Sequence, residues 1–291
     1  MGSRLLNCLM VALLSVAPAS GAYASSPDVA EHVPDNLLPS GEISGTDPLL
    51  LADSALQGRR FFEAEAYRAQ LAADPRPEAM LLRAELALLS GSPGEAIALI
   101  DRLGADSTYV CRAEAVATTA LLQLGQPDLA KIRSDALGNS CRADAFYWRS
   151  KGRIAYARSD IDTSVAAFRE ALVLQPSDRG TENDLAVSLI AAGDAEQASR
   201  LLAALLHRSP DATDVSLNLD FANAMRGIEP ERRPQEDDDM WSLRLQFAGQ
   251  GARQASRLDL AEALLARAMI NRPRYDHNLW QQYAEVTGRD D

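Results

Sequence analysis

Small and apolar residues return at a fixed interval of 34 along most of the chain. One turn-favouring residue marks each interval: Gly91, Gly125, Ser159, Gly193 and Gly227. A small residue stands seven positions before the first four of them: Ala84, Thr118, Gly152 and Ala186. Another stands five positions after: Ala96, Ala130, Ser164 and Ala198. Because small side chains let two helices approach closely around such a turn, the pattern predicts a series of helix–turn–helix hairpins.

A helix–turn–helix unit repeated at 34 residues is the signature of the tetratricopeptide repeat. We therefore predict an all-α, right-handed solenoid of about six such hairpins, in which each repeat packs on its neighbours. Repeats four and five, residues 145–178 and 179–212, match the pattern most fully, and each holds a helix-stopping proline near its end, Pro176 and Pro210. The solenoid is expected to cover residues 49–227.

The repeat pattern breaks after Gly227. Pro230 and Pro234 disfavour a regular helix, and four successive carboxylates at 236–239 repel one another. We predict an exposed acidic loop over residues 228–240. The pattern returns beyond it, so residues 241–291 are expected to form one more hairpin and a capping helix.

The first 24 residues have the pattern of a secretory signal peptide. Arg4 precedes an apolar stretch over residues 5–17, and small residues lead to a cleavage site after Ala24. The apolar stretch is shorter than the roughly 20 residues that a membrane span needs, so no transmembrane segment is expected. Lipidation at Cys8 is the alternative. Residues 25–48 are predicted to be a flexible leader, and the mature protein to be periplasmic, peripheral to the outer membrane only through a partner.

Two cysteines remain after cleavage, in an oxidising compartment. Cys111 and Cys141 stand at the first and thirty-first positions of one repeat. Since the two helices of a repeat run antiparallel, its beginning and its end lie at the same end of the hairpin. A disulfide between them is the predicted state, and two unpaired cysteines are the alternative.

Charge and motifs argue for binding rather than catalysis. The formal net charge of −12 disfavours nucleic acid as a partner, because phosphate neutralisation needs a basic face. None of the three histidines shares a helical face with a cysteine or carboxylate at metal-ligand spacing. No nucleotide-binding, hydrolase or zinc-protease motif occurs. We predict a non-enzymatic protein without metal or cofactor.

The groove positions of the repeats provide the candidate site. Counting from the repeat frame, they hold Arg149, Arg153 and Tyr156 in repeat four, Asn183 and Asp184 in repeat five, and Asn218 and Phe221 in repeat six. Guanidinium and carboxamide donors in a row suit the backbone and carboxylates of an extended peptide. The alternative is that the polar residues are ordinary solvated side chains and that the two aromatic residues are packing residues.

Residues 183–227 resemble the TadD family, the tetratricopeptide proteins of the Flp (tight-adherence) pilus assembly system. The matching positions are Asn183, Leu185, Ala186, Gly193, Ala198, Leu201, Leu202, Pro210, Asn218, Leu219 and Ala222. The resemblance implies a periplasmic accessory protein that binds the pilus secretin or other machinery at the outer membrane. Two other functions stay open: a general cell-envelope biogenesis adaptor with a different client, and a regulatory repeat domain of an unrecognised hydrolase.

Overall fold

A computed structural model describes residues 47–57, 60–103 and 108–288. The predicted signal peptide, residues 1–24, and the leader up to residue 46 lie outside these ranges. The described chain contains helices and turns and no strand, which confirms the predicted all-α tetratricopeptide repeat fold.

The helices follow one another as antiparallel pairs joined by short turns. Their bounds are α1 Pro48–Gln57, α2 Phe61–Ala66, α3 Arg68–Leu71, α4 Pro77–Leu89, α5 Pro93–Leu103, α6 Val110–Gln123, α7 Pro127–Ala136, α8 Ala145–Ala157, α9 Ile161–Leu174, α10 Arg179–Ala191, α11 Ala195–Arg208, α12 Thr213–Met225, α13 Asp238–Gln254, α14 Leu258–Asn271 and α15 His277–Thr287.

The chain forms two compact units that divide between Ser150 and Lys151, inside helix α8. The described part of the N-terminal unit holds two clusters of buried apolar side chains, one among α1 to α4 and one among α4 to α6. The C-terminal unit holds two more, one among α9 to α12 and one among α12 to α15. Each cluster lies between neighbouring helices, as expected where every repeat packs on the next.

The turn residues have the backbone conformation that the pattern requires. Their φ angles are positive: Gly91 76°, Gly125 71°, Ser159 63°, Gly193 83° and Gly227 85°. Ser256, at the equivalent turn of the last hairpin, has a φ of 58°.

A small residue is needed where the two helices of a hairpin contact each other. A Cβ atom added to Gly152 would lie 2.7 Å from the Phe168 ring, and one added to Gly249 would lie 2.7 Å from Leu265.

Aspartates start several helices. The side chains of Asp160, Asp178, Asp194, Asp237 and Asp276 each accept a hydrogen bond from a backbone N–H three residues later. Such capping satisfies a donor that has no partner within the helix, and each cap contributes about 1 kcal/mol.

The prediction of an exposed loop over residues 228–240 is wrong in part. Helix α13 already begins at Asp238, and Asp237 caps it. Acidic side chains are favourable at a helix N-terminus, where they interact with the positive end of the helix dipole, so the acidic run starts a helix instead of preventing one. Pro230 is buried, and the Glu236 side chain is only 5% exposed because it pairs with Arg244.

The predicted cysteine pair is bonded in the structure. Cys111 lies in the first turn of α6, and Cys141 follows α7, with 5.5 Å between their Cα atoms. The bond joins the beginning and the end of repeat three.

Candidate functional site

The predicted groove residues lie on the first helices of successive repeats. We call the side chains at these positions the first-helix face. In the C-terminal unit they are Arg153, Tyr156, Asn183, Asp184, Asn218 and Phe221, on α8, α10 and α12. Arg149 is on α8 in the N-terminal unit and is partly buried.

Arg153 pairs with a carboxylate of the next repeat. Its Nε atom donates to Asp184 Oδ2 over 2.8 Å, and the two side chains are 11% and 4% exposed. The repeat frame predicts that both residues face a partner. The structure shows instead that they compensate each other's charge, as buried ions must.

Asn183 and Asn218 also bond to each other. The Asn218 Nδ2 group donates to Asn183 Oδ1 over 2.9 Å, and both residues are buried. This hydrogen bond connects α10 with α12, so it links the first helices of repeats five and six.

The two aromatic residues lie in the interior rather than on an exposed groove. Tyr156 is 2% exposed, and burial raises the pKa of its hydroxyl to about 12. Phe221 is 1% exposed and belongs to the core cluster that also contains Leu202. Large aromatic side chains contribute most of their stabilisation when buried in this way.

Repeat six contains an ion-pair cluster that was not predicted from the sequence. The Arg244 Nε atom donates to Asp220 Oδ2 over 2.6 Å, and its Nη1 donates to Glu236 Oε2 over 3.1 Å. Burial raises the pKa of Asp220 although Arg244 acts in the opposite direction. A signal was present in the sequence: Asp220 occupies the position that is small in the other repeats, such as Ala186. Repeat six has no second helix to pack there, and Arg244 fills the space.

Three glutamines extend the first-helix face at the end of the C-terminal unit. The Nε2 groups of Gln246 and Gln250 on α13 donate to the Oε1 atom of Gln282 on α15, over 3.2 and 3.0 Å. Arg253 forms an ion pair with Glu285, which also joins α13 to α15. Gln250 and Gln282 are partly exposed.

The N-terminal unit has the same arrangement. Arg112 on α6 makes two parallel hydrogen bonds to Glu85 on α4, of 2.7 and 2.8 Å. Burial raises the pKa of Glu85, and Arg112 opposes that shift. In each unit, polar pairs therefore join the first helix of one repeat to the first helix of the next. We call this set of pairs the first-helix ladder.

Two other features are absent from the described residues. No group of three or more metal-ligating side chains occurs among them. None of their helices is long and apolar enough to cross a membrane. Of the two described histidines, His277 stacks on the ring of Trp280, with 6.4 Å between the ring centroids.

Comparisons with known proteins agree with this geometry. Two family models described as tetratricopeptide repeat match residues 113–236 and 49–109. No curated protein sequence matches the chain significantly.

One solved structure that is similar to this chain with a TM-score above 0.5 supports the fold. The Cut9–Hcn1 hetero-tetramer of the APC/C contains a chain that is 16% identical over 82% of this chain, with a TM-score of 0.55. This chain spans 42% of the length of that one. A tetratricopeptide repeat protein from Parabacteroides merdae is 10% identical over 82% of this chain and 97% of its own, with a TM-score of 0.46. From its repeat frame, helix pairing and family matches, the chain belongs to the tetratricopeptide repeat proteins.

Proposed function

We propose that the chain is a non-enzymatic scaffold that holds an extended segment of a partner protein along the first-helix face of its C-terminal unit. The observation that carries the proposal is the pair of partly exposed glutamines, Gln250 on α13 and Gln282 on α15, at the end of a row of carboxamides on the first helices. Tetratricopeptide repeats are interaction modules, which supports a binding role.

The glutamines at the end of the row keep hydrogen-bonding groups for a partner. The Gln282 Oε1 atom accepts two hydrogen bonds. Within the described chain, the Gln282 Nε2 group and the Gln250 Oε1 atom form none. One side chain therefore offers a donor and the other an acceptor. An extended peptide backbone offers the complementary groups in alternation, so these glutamines suit its main chain.

The arginines of the first-helix face favour the same class of partner. Arg153 and Arg253 are paired with Asp184 and Glu285, so acidic side chains of a partner would have to compete with these carboxylates. The partner is therefore recognised through its backbone rather than through negative charge. This refines the expectation that the arginines bind carboxylates.

We place this scaffold in the periplasm, in the assembly of an Flp/Tad-type pilus or secretion system. The signal-peptide pattern ending at Ala24 supports export, and the resemblance of residues 183–227 to TadD supports the pilus system. The pilus secretin and its assembly components are the candidate clients.

Affinity capture from envelope extracts tests the proposal. We expect the double variant Gln250→Ala/Gln282→Ala to recover at least about tenfold less of its principal client, because each lost hydrogen bond is worth about 1 kcal/mol. The matched control is Glu196→Ala/Arg200→Ala, which removes a solvent-exposed pair on second helix α11. Equal recovery by both variants would contradict binding at the first-helix face. A client from outside any pilus or secretion system would contradict the assignment to that system.

A further inference from the structure

The contact between the two helices of repeat three differs from that in the other complete hairpins. In the other hairpins, a small residue of the first helix contacts a large apolar residue of the second helix, which lies sixteen positions later in the sequence. Gly152 contacts Phe168 in this way, and Gly249 contacts Leu265. Equivalent buried pairs in repeats two and five are Ala84 with Ile100 and Ala186 with Leu202.

Repeat three has Thr118 and Ser134 at these positions. Both side chains are buried, at 1% and 2% exposure. Neither hydroxyl has a hydrogen-bond partner in the part of the chain that the structure describes. A buried hydroxyl without a partner is destabilising, and the large apolar group that holds the other hairpins together is missing.

Helix α7 contributes little other apolar burial. Its buried residues are Ala130 and Ser134, while Leu129 is 51% and Ile132 is 66% exposed. The equivalent helix of repeat five, α11, buries five residues: Ala195, Ala198, Ser199, Leu202 and Leu205. Since helix stability in proteins depends on tertiary packing, α7 is the more weakly held of the two.

Ion pairs and a covalent bond also attach α7. Arg133 pairs with Glu114 of α6 and, over 2.8 Å, with Asp101 of α5. Asp101 is 55% exposed, so its ion pair with Arg133 contributes little. The Glu114 side chain is 18% exposed and accepts two hydrogen bonds from Arg133, so it forms the stronger of the two pairs. The Cys111–Cys141 disulfide is the covalent attachment: it fixes the segment after α7 to the start of α6 and closes a sequence separation of 30.

We propose that repeat three is a redox-sensitive element in which the disulfide holds α7 against α6. Reduction releases α7, while α6 stays folded. Ala113, Val116, Ala117 and Ala120 of α6 are buried in the apolar cluster that it shares with α4 and α5. Reduction therefore changes only helix α7 of the N-terminal unit.

The reductant is a dithiol, such as the active site of a thiol–disulfide oxidoreductase. Cys111 is partly exposed and Cys141 is buried, so one thiolate of the dithiol attacks Cys111 Sγ. The Sγ–Sγ bond breaks, and the Cys141 thiolate leaves and takes up a proton. The second thiolate of the dithiol then attacks the mixed disulfide. Cys111 leaves as a thiolate and is protonated, and the dithiol ends as its own disulfide.

Hydrogen exchange measured by mass spectrometry on the mature full-length protein tests this proposal. After reduction with dithiothreitol, we expect the amides of residues 127–136 to exchange about tenfold faster or more, because the opening of α7 costs less free energy. Residues 195–208 of α11 are the internal control and should exchange at an unchanged rate. The double variant Cys111→Ser/Cys141→Ser should behave like the reduced protein. Unchanged protection of residues 127–136 in the reduced protein would overturn the proposal.

A rescue variant separates weak packing from other effects of losing the cysteines. Thr118→Ala/Ser134→Leu gives repeat three the pair that repeat five has in Ala186 and Leu202. In the Cys111→Ser/Cys141→Ser background, it should return the exchange of residues 127–136 to within about threefold of the oxidised protein. If the rates stay as fast as without these two changes, poor packing is not the reason for the opening, and the proposal fails.

Discussion

At the scale of single residues, the groove positions are occupied by polar side chains that bond to one another. Each pair of the first-helix ladder uses residues from two successive repeats, as Arg153 and Asp184 do. Buried ions of opposite charge are tolerated when both are paired, and removing one partner is costly because the other stays buried and uncompensated. The ladder therefore couples the repeats as well as lining their first-helix face.

The Arg244 cluster should show this cost most clearly. Arg244→Ala would leave Asp220 and Glu236 buried without their common partner, since both are less than 10% exposed. We expect a loss of about 3–5 kcal/mol in the free energy of unfolding of the C-terminal unit, measured by urea denaturation. The exposed Arg200→Ala is the control and should change it by no more than about 0.5 kcal/mol. A similar effect of both variants would contradict the structural role of Arg244.

Arg153 should likewise act on stability. Arg153→Glu places a second carboxylate beside buried Asp184, so we expect the melting temperature to fall. The exchanged pair Arg153→Glu/Asp184→Arg restores opposite charges and should recover much of the loss. Thermal unfolding followed by circular dichroism measures both. An unchanged melting temperature for Arg153→Glu would show that Arg153 is not held in a buried pair.

At the scale of helices and turns, most of the fold could be predicted from the repeat frame. The interval of 34 predicted the positions of the turns correctly, including the turn at Ser159, which is not a glycine. A residue with a left-handed backbone conformation is needed wherever the chain reverses direction between two helices. The ladder could not be predicted, since periodicity places Arg153 and Asp184 on one face but does not say that they bond. The loop predicted over residues 228–240 extended too far. Its last residues start helix α13, because acidic side chains interact favourably with a helix N-terminus and this outweighs their mutual repulsion.

The turns allow a matched pair of substitutions. Ser159 has a φ of 63° and Gly193 one of 83° at equivalent positions. Because non-glycine residues are strained in the left-handed region, Ser159→Gly should stabilise the protein, and Gly193→Ser should destabilise it, each by about 1 kcal/mol. Urea denaturation measures both. Changes of the same sign would contradict the argument.

Helix α15 should depend on pH through its capping residue. Partial burial raises the pKa of Asp276, but hydrogen bonds from Arg272 and from the Leu279 N–H outweigh it, so the pKa lies below its usual value of 3.8. A lowered pKa means that the carboxylate stabilises the folded state above pH 3.8 and that this stabilisation is lost as the pH falls further.

We therefore expect Asp276→Asn to unfold at a lower temperature than the wild type at pH 6. The difference should disappear as the pH falls below 3.8 and Asp276 becomes protonated. Calorimetric melting of both proteins across this pH range checks the prediction. A difference that stays constant down to pH 2 would mean that the charge of Asp276 does not contribute.

At the scale of the whole molecule, the chain is an acidic array of helical repeats. Its net charge of −12 disfavours contact with nucleic acid, and its ladder arginines are matched by carboxylates. The groups best placed for a partner are the partly exposed glutamines Gln250 and Gln282. They were not predicted as site residues because the groove positions were counted only as far as repeat six.

Site-specific photo-crosslinking in cells tests directly whether the first-helix face of the C-terminal unit binds a partner protein. A photoreactive residue at position 250 or 282 samples the first-helix face, and one at position 173 or 200 samples exposed second helices, where Val173 is 74% exposed. We expect a covalent adduct with one and the same partner protein from positions 250 and 282, and none from positions 173 and 200. Adducts confined to positions 173 and 200 would contradict it.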